Sequence, residues 1–145
     1  MPLHLLKLCV GCDSIEDLES WIGERLEARR RAGEPAEQFH TTRMVPVRKD
    51  ELLDGGSLYW VIKGSVQCRQ RLLEIRPFTD DQGIGRCHLI LDPCVVRTDF
   101  HPKRPFQGWR YLKHGEAPRD LDDGRAALLA MPHKLRRELS ELGLL

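Results

Sequence analysis

The chain has 145 residues, 41% hydrophobic and 31% charged, with 23 Lys and Arg against 22 Asp and Glu. A domain of this length buries about two thirds of its unfolded surface, which argues against disorder and removes the need for a disulfide or metal staple. The net charge of +1 excludes a protein that binds polyanions over its whole surface.

No apolar run approaches the roughly 20 residues of a transmembrane helix, and the start MPLHLLKLCVGCD has no basic leader region. Five cysteines, an odd number without a secretory signal, fit reduced thiols. The expectation is a cytoplasmic protein with no membrane association, folded as a single domain over residues 1–145. Its oligomeric state is left open.

Residues 3–10 (LHLLKLCV) read as a short buried strand ending at Gly11. A helix follows, capped by Asp13 or Ser14, with Glu16 three residues after Asp13 as capping-box partner. Ile15, Leu18, Ile22 and Leu26 recur at helical spacing, and the helix fades by Gly33 to Pro35. Arg29, Arg30 and Arg31 sit in its last turn, where cations complement the carbonyl end of the dipole.

From His40 the period shifts towards strands. HTTRMVPVRK, broken by Pro46, predicts an edge strand or loop. Residues 57–63 (SLYWVIK) alternate, with Leu58, Trp60 and Ile62 on one face, and Gly64-Ser65 suits a tight hairpin. The strand from Val66 to Phe78 starts with Val66 and Cys68 inward and ends with Leu73 and Ile75 inward, so a bulge is expected near Arg71-Leu72. Residues 80–83 form a turn, and residues 86–92 a strand with Cys87, Leu89 and Leu91 inward. Residues 94–98 extend again, DFHPKRPFQG is a Pro-punctuated loop, and Trp109 to Leu112 is a further strand. Asp122-Asp123 can cap a helix over GRAALLA, and Pro132 can open another. This pattern is α+β: a small, curved, antiparallel β-barrel of five or six strands, with an N-terminal helix and short C-terminal helices.

Charge is uneven along the chain. Residues 1–39 carry net −3, residues 40–114 net +5 and residues 115–145 net −1. The basic middle also holds seven of the nine aromatics, and cations interleaved with flat rings suit single-stranded or flipped-out nucleotides.

Other constellations are weaker. Cys9-Val10-Gly11-Cys12 between a strand and a helix has the layout of a thioredoxin-like redox site, but antiparallel hairpins follow it instead of a parallel βαβ unit. No second Cys-x-x-Cys or His-x3-His completes a zinc site, so buried structural thiols are expected. His40-Thr41-Thr42-Arg43 offers a histidine for acid or base work without a defined partner. There is no Walker loop, GxGxxG or GxSxG, and no cofactor is expected.

Arg69 and Arg71 share a strand face, as do Arg86 and His88; if these strands pair, the four stand together. Lys103, Arg104, Phe106, Trp109, Arg110 and Tyr111 add three cations and three rings within nine residues. The expected binding set is Arg69, Arg71, Arg86, Lys103, Arg104 and Arg110 on phosphate, with Trp109, Tyr111 and Trp60 stacking on bases. The partner is then RNA or a nucleotide. The alternative is an enzyme acting on a small phosphorylated or nucleotide substrate through His40 or His88 beside the arginines.

The stretches LLKLCVGCDSIEDL, HTTRMVP, DELLDGGSLYWVIKG, QCRQRLLEIRPF, GIGRCHLILDP, RPFQGWRYL and LRRELSELGLL resemble domain-of-unknown-function family 1489, an uncharacterised, mainly alphaproteobacterial family. The order of capped helix, GGSLYWVIKG strand, long basic strand and late RPFQGWRYL segment also looks like the PUA-like barrels, including the ASCH and EVE types. That resemblance implies a curved barrel with helices at its openings and RNA or modified nucleotides as ligands.

Overall fold

A computed structural model describes residues 2–121. Its elements are β1 (Leu3–Leu8), α1 (Ile15–Arg31), β2 (Gln38–Thr42), α2 (Lys49–Leu53), β3 (Ser57–Ile62), β4 (Ser65–Thr79), β5 (Gly85–Leu91), β6 (Val96–Pro102) and β7 (Trp109–Lys113). A single 3-10 turn, His114–Glu116, follows. The helices expected over GRAALLA and after Pro132 lie outside the described residues.

α1 begins where the sequence places it. Its cap is Ser14, whose hydroxyl accepts from the Asp17 N–H at 3.1 Å, and Asp17 in turn accepts from the Asp13 N–H at 3.0 Å. Asp17, not Glu16, is therefore the reciprocal partner, because the cap is one residue later than Asp13. Ile15, Leu18, Ile22 and Leu26 are buried, each worth about 1.5–3 kcal/mol of transfer free energy. α2 was not legible: five residues show too little of a helical period to register.

The strands form one seven-stranded sheet in the order β2-β5-β4-β3-β1-β7, with β6 also paired to β4. The antiparallel expectation needs correction, since β1 and β3 pair in parallel and the sheet is mixed. The chain has room for that crossover because α1, β2 and α2 lie between the two strands. The sheet is not closed: β2 and β7 end its main path, and β6, paired with β4 alone, is a further edge.

β4 organises the sheet. Its first half pairs with β3 and with β6, and its second half with β5. Two irregularities interrupt it, where the alternation of the sequence predicted one. At the first, Trp60 faces Cys68 but Val61 faces Val66, leaving Gln67 as the extra residue. Val66 and Cys68 consequently pack on opposite faces of the sheet, in different clusters. At the second, between Leu72 and Glu74, Leu73 turns outward and is 52% exposed, correcting its inward assignment. Each bulge inserts one residue and inverts the phase, so two of them restore a pattern that a single switch cannot reproduce.

Two local devices fix the hairpin and the start of β3. Lys63 (φ 50°) and Gly64 (φ 79°) form the two-residue turn between β3 and β4, both left-handed as a type I′ hairpin requires. Gly56 is set by sterics, because a Cβ there would meet Leu3 O and Leu52 O at 2.2 Å. That close approach locks the start of β3 against β1 and α2.

Both sheet faces carry buried clusters. Leu3, Leu5, Leu58, Trp60, Ile62, Cys68, Cys87, Leu89 and Leu91 join the apolar stripe of α1 in the larger cluster. Leu6, Tyr59, Val61, Val66 and Leu112, with half-buried Phe106, form the smaller one on the opposite face.

Candidate functional site

The curvature brings the segment after β2 against β7, so the two sheet edges face one another across a seam. Side-chain bonds to the backbone close it. The Trp109 indole N–H donates to Met44 O at 3.0 Å, and the Tyr111 hydroxyl accepts from the Val47 and Arg48 N–H groups at 3.1 and 3.3 Å. Thr42 Oγ1 donates to Met44 O at 2.9 Å. Between the edges lies a cleft of about 630 Å³, lined by Lys7, Thr41, Thr42, Arg43, Met44, Gln107, Gly108 and Trp109.

Two features give the cleft an anion-binding character. Lys7 is half-buried, and burial pulls its ammonium below the usual lysine range. Neither Lys7 nor Arg43 forms an ion pair with a described residue. His40 lies close to Lys7, with its ring edge-on to Trp60 at 5.4 Å. Burial, with Lys7 and Arg25 nearby, lowers its pKa to about 4, so the ring is neutral at pH 7.

The sequence pattern of the family described as "Protein of unknown function (DUF1489)" matches residues 5–145. The chain belongs to the DUF1489 family. No curated protein and no solved structure matches it.

In this DUF1489 protein the cleft joins two stretches far apart in sequence, HTTRM and FQGW, with Lys7 between them. Of the nine expected binding residues only Trp109 lines it. Alternation along β7 separates the others. Trp109 and Tyr111 turn to the face of the larger cluster, whereas Arg110 pairs with Leu6 on the opposite face and lies 5.1 Å over the Phe106 ring. Arg69 and Arg71 share that opposite face with Tyr59 and Ser57. Lys103 and Arg104 are exposed on the loop after β6, anchored where Lys103 N–H donates to Gly64 O at 2.9 Å.

The expected four-residue cluster does not form. In the β4–β5 register Arg86 faces Phe78 and His88 faces Arg76, far along β4 from Arg69 and Arg71. Arg86 is instead paired with Asp80 at 2.6 Å beside the hairpin turn. His88 is held between Phe39 and Phe78, with ring centroids at 4.4 and 4.2 Å. Trp60 is 3% exposed and its indole N–H donates to Gln70 Oε1 at 2.8 Å. It is a core residue with no open ring face for a base. The sequence showed Trp60 alternating, but not that both faces of β3 are covered.

A second polar cluster, which includes the expected Arg69, escaped sequence reasoning as a cluster, because its members meet only through the pairings of β1 with β3 and β7, of β3 with β4, and of Thr98 with Asp120. Ser57 N–H donates to His4 Nδ1 at 3.0 Å, and His4 Nε2 lies 3.0 Å from His114 Nδ1. Burial first, then His114 and Arg69, lowers the His4 pKa to about 4. Arg69 grips both carboxylate oxygens of Asp120 at 2.7–2.8 Å and donates to Ser57 Oγ at 2.9 Å. Arg69 also holds the Asp120 carboxyl below its usual range.

Four of the five thiols behave as core, and Cys94, expected to be buried with them, is exposed. Cys9, Cys12, Cys68 and Cys87 are buried, and burial pushes the Cys9, Cys68 and Cys87 thiols up, away from the thiolate. Among the described residues, no group of three or more His, Cys, Asp or Glu side chains is placed to hold a metal ion. No described helix is long and apolar enough to cross a membrane.

Proposed function

We propose that this DUF1489 protein is a cytoplasmic RNA- or nucleotide-binding module and that its ligand enters the cleft between β2 and β7. The observation that carries this reading is Lys7. A half-buried ammonium with no carboxylate partner among the described residues is costly, and an incoming phosphate would compensate it. Arg43 adds a second cation at the same cleft, and the Trp109 ring, fixed by its bond to Met44 O, adds a flat wall. Lys103 and Arg104 extend the basic surface along the loop that ends in this wall. The PUA-like barrel belongs to the same proposal: curvature that brings β2 and β7 face to face, with α1 packed on the larger cluster, supports it.

The test is fluorescence anisotropy of labelled single-stranded RNA, with competition by mononucleotides, over a range of salt. Sub-millimolar binding is expected, with affinity falling linearly in log–log salt. A flat salt response, or no binding at low salt, overturns the proposal.

His40 supports a second reading, an enzyme acting on a phosphorylated or nucleotide substrate. Its ring lies beside Lys7 in the unprotonated form that a base needs, whereas His88 is enclosed by two phenylalanines. Turnover of a nucleotide that His40→Ala abolishes while the fold survives would favour the enzyme over the module.

A further inference from the structure

Away from the cleft, a cavity of about 410 Å³ opens at the start of β1 and the end of β7. His4, Ser57, Tyr59, Arg69, His114 and Asp120 line it, with Arg119 beside them. Its hydrogen bonds have a fixed direction. A backbone N–H can only donate, so the bond from Ser57 N–H forces His4 Nδ1 to accept. His4 therefore carries its proton on Nε2 and donates to His114 Nδ1, which leaves His114 with Nε2–H as its outward donor.

Other donors remain open. The Tyr59 hydroxyl has no hydrogen-bond partner among the described residues, and burial pushes its pKa further up from the ordinary tyrosine value. Arg69 uses Nε, one N–H of Nη1 and one of Nη2 on Asp120 and Ser57, which leaves one N–H on each terminal nitrogen. Arg69 and Asp120 offset one another, so Arg119 gives the cavity one positive charge in excess. Neutral donors fixed by a buried partner and a guanidinium held in place by a carboxylate form a site organised before any ligand arrives.

We propose that this cavity is a second ligand site, which takes a small molecule through an oxyanion, phosphate or carboxylate. His114 Nε2–H, the Tyr59 hydroxyl and the spare N–H groups of Arg69 are its donors. The site is independent of the seam cleft, since His4 and Lys7 lie towards opposite ends of β1 and on opposite faces of the sheet.

The experiment records the imidazole resonances of His4 and His114 by NMR in the full chain during titration with inorganic phosphate, with acetate, and with sodium chloride as the ionic-strength control. The expected result is a saturable shift of the His114 signals in the millimolar range with phosphate or acetate, and none with chloride. Tyr59→Phe, which keeps the buried ring, raises the half-saturation point at least threefold, and Arg69→Lys, which keeps the charge but loses the fork, does the same. A response to phosphate alone assigns a phosphorylated ligand, and a response to acetate alone a carboxylate. Shifts equal to those with chloride, or unchanged in both variants, overturn the proposal. Arg43→Gln, at the other site, leaves the phosphate titration unaltered, so failure here is distinct from failure of the RNA reading.

Discussion

The seam cleft and the His4 cavity treat charge in opposite ways. In the cleft, Lys7 and Arg43 stand without carboxylate partners among the described residues, and the fixed elements are a ring and a loop. In the cavity, Arg69 is tied to Asp120 and Ser57, and His4 is tied at both ring nitrogens. A paired network fixes geometry and stabilises the fold; unpaired cations leave attraction for a ligand. Substitutions in the cavity should register first as lost stability, and those in the cleft first as lost binding.

Among the substitutions, the largest expected effect comes from Gly56→Ala. A Cβ 2.2 Å from two backbone oxygens forces β3 away from β1 and breaks the Ser57–His4 bond, costing about 3 kcal/mol in urea unfolding. A loss under about 0.5 kcal/mol would show that β3 does not need this approach.

Next is acid. His4 and His40 both have folded pKa values of about 4 against 6.5 unfolded. The unfolded chain binds more protons between those values. The stability that each neutral ring contributes is complete above pH 6.5 and is lost as pH falls towards 4, at no more than about 1.4 kcal/mol per pH unit per group. Unfolding free energies measured from pH 7.5 to 4.5 test this. His40→Gln should remove the share next to the cleft and leave that of the cavity. A flat profile would mean that neither ring is held neutral.

Trp109→Phe removes the indole bond to Met44 together with part of the ring that packs on the larger cluster and should cost about 1–2 kcal/mol, with faster amide hydrogen exchange across residues 44–48 and little change at His4. Smallest in stability is Arg43→Gln, within about 0.5 kcal/mol of the parent. In the RNA titration the same change should weaken binding and lower the salt slope by about 0.7, the value for one contact to a single strand. An unaltered slope would remove Arg43 from the site.

Local features of this fold were legible because their causes are local. The apolar spacing of α1, a hairpin turn at Gly64 (expected at Gly64-Ser65 and formed one residue earlier, by Lys63-Gly64) and the inward Cys87, Leu89 and Leu91 depend on neighbours within a few residues. Register over a long strand does not: two bulges in β4 reversed the face of Cys68 relative to Val66 and put Leu73 in water. The expected site residues were dispersed for the same reason. Lys103 to Tyr111 read as one basic and aromatic patch, but alternation along β7 placed Arg110 on one face and Trp109 and Tyr111 on the other.

By itself the sequence determined the α+β class, most strand positions, the core face of the helix and a local excess of positive charge in a nearly neutral chain. Tertiary structure decided which residues meet. His4 and His114 are 110 positions apart, and Met44 and Trp109 are 65 apart. Each pair is joined only because β1 accepts β7 on one side and the sheet curves until its edges face one another. Periodicity reports which face a residue occupies; the pairing of distant strands sets which face it meets, and no local spacing encodes that choice.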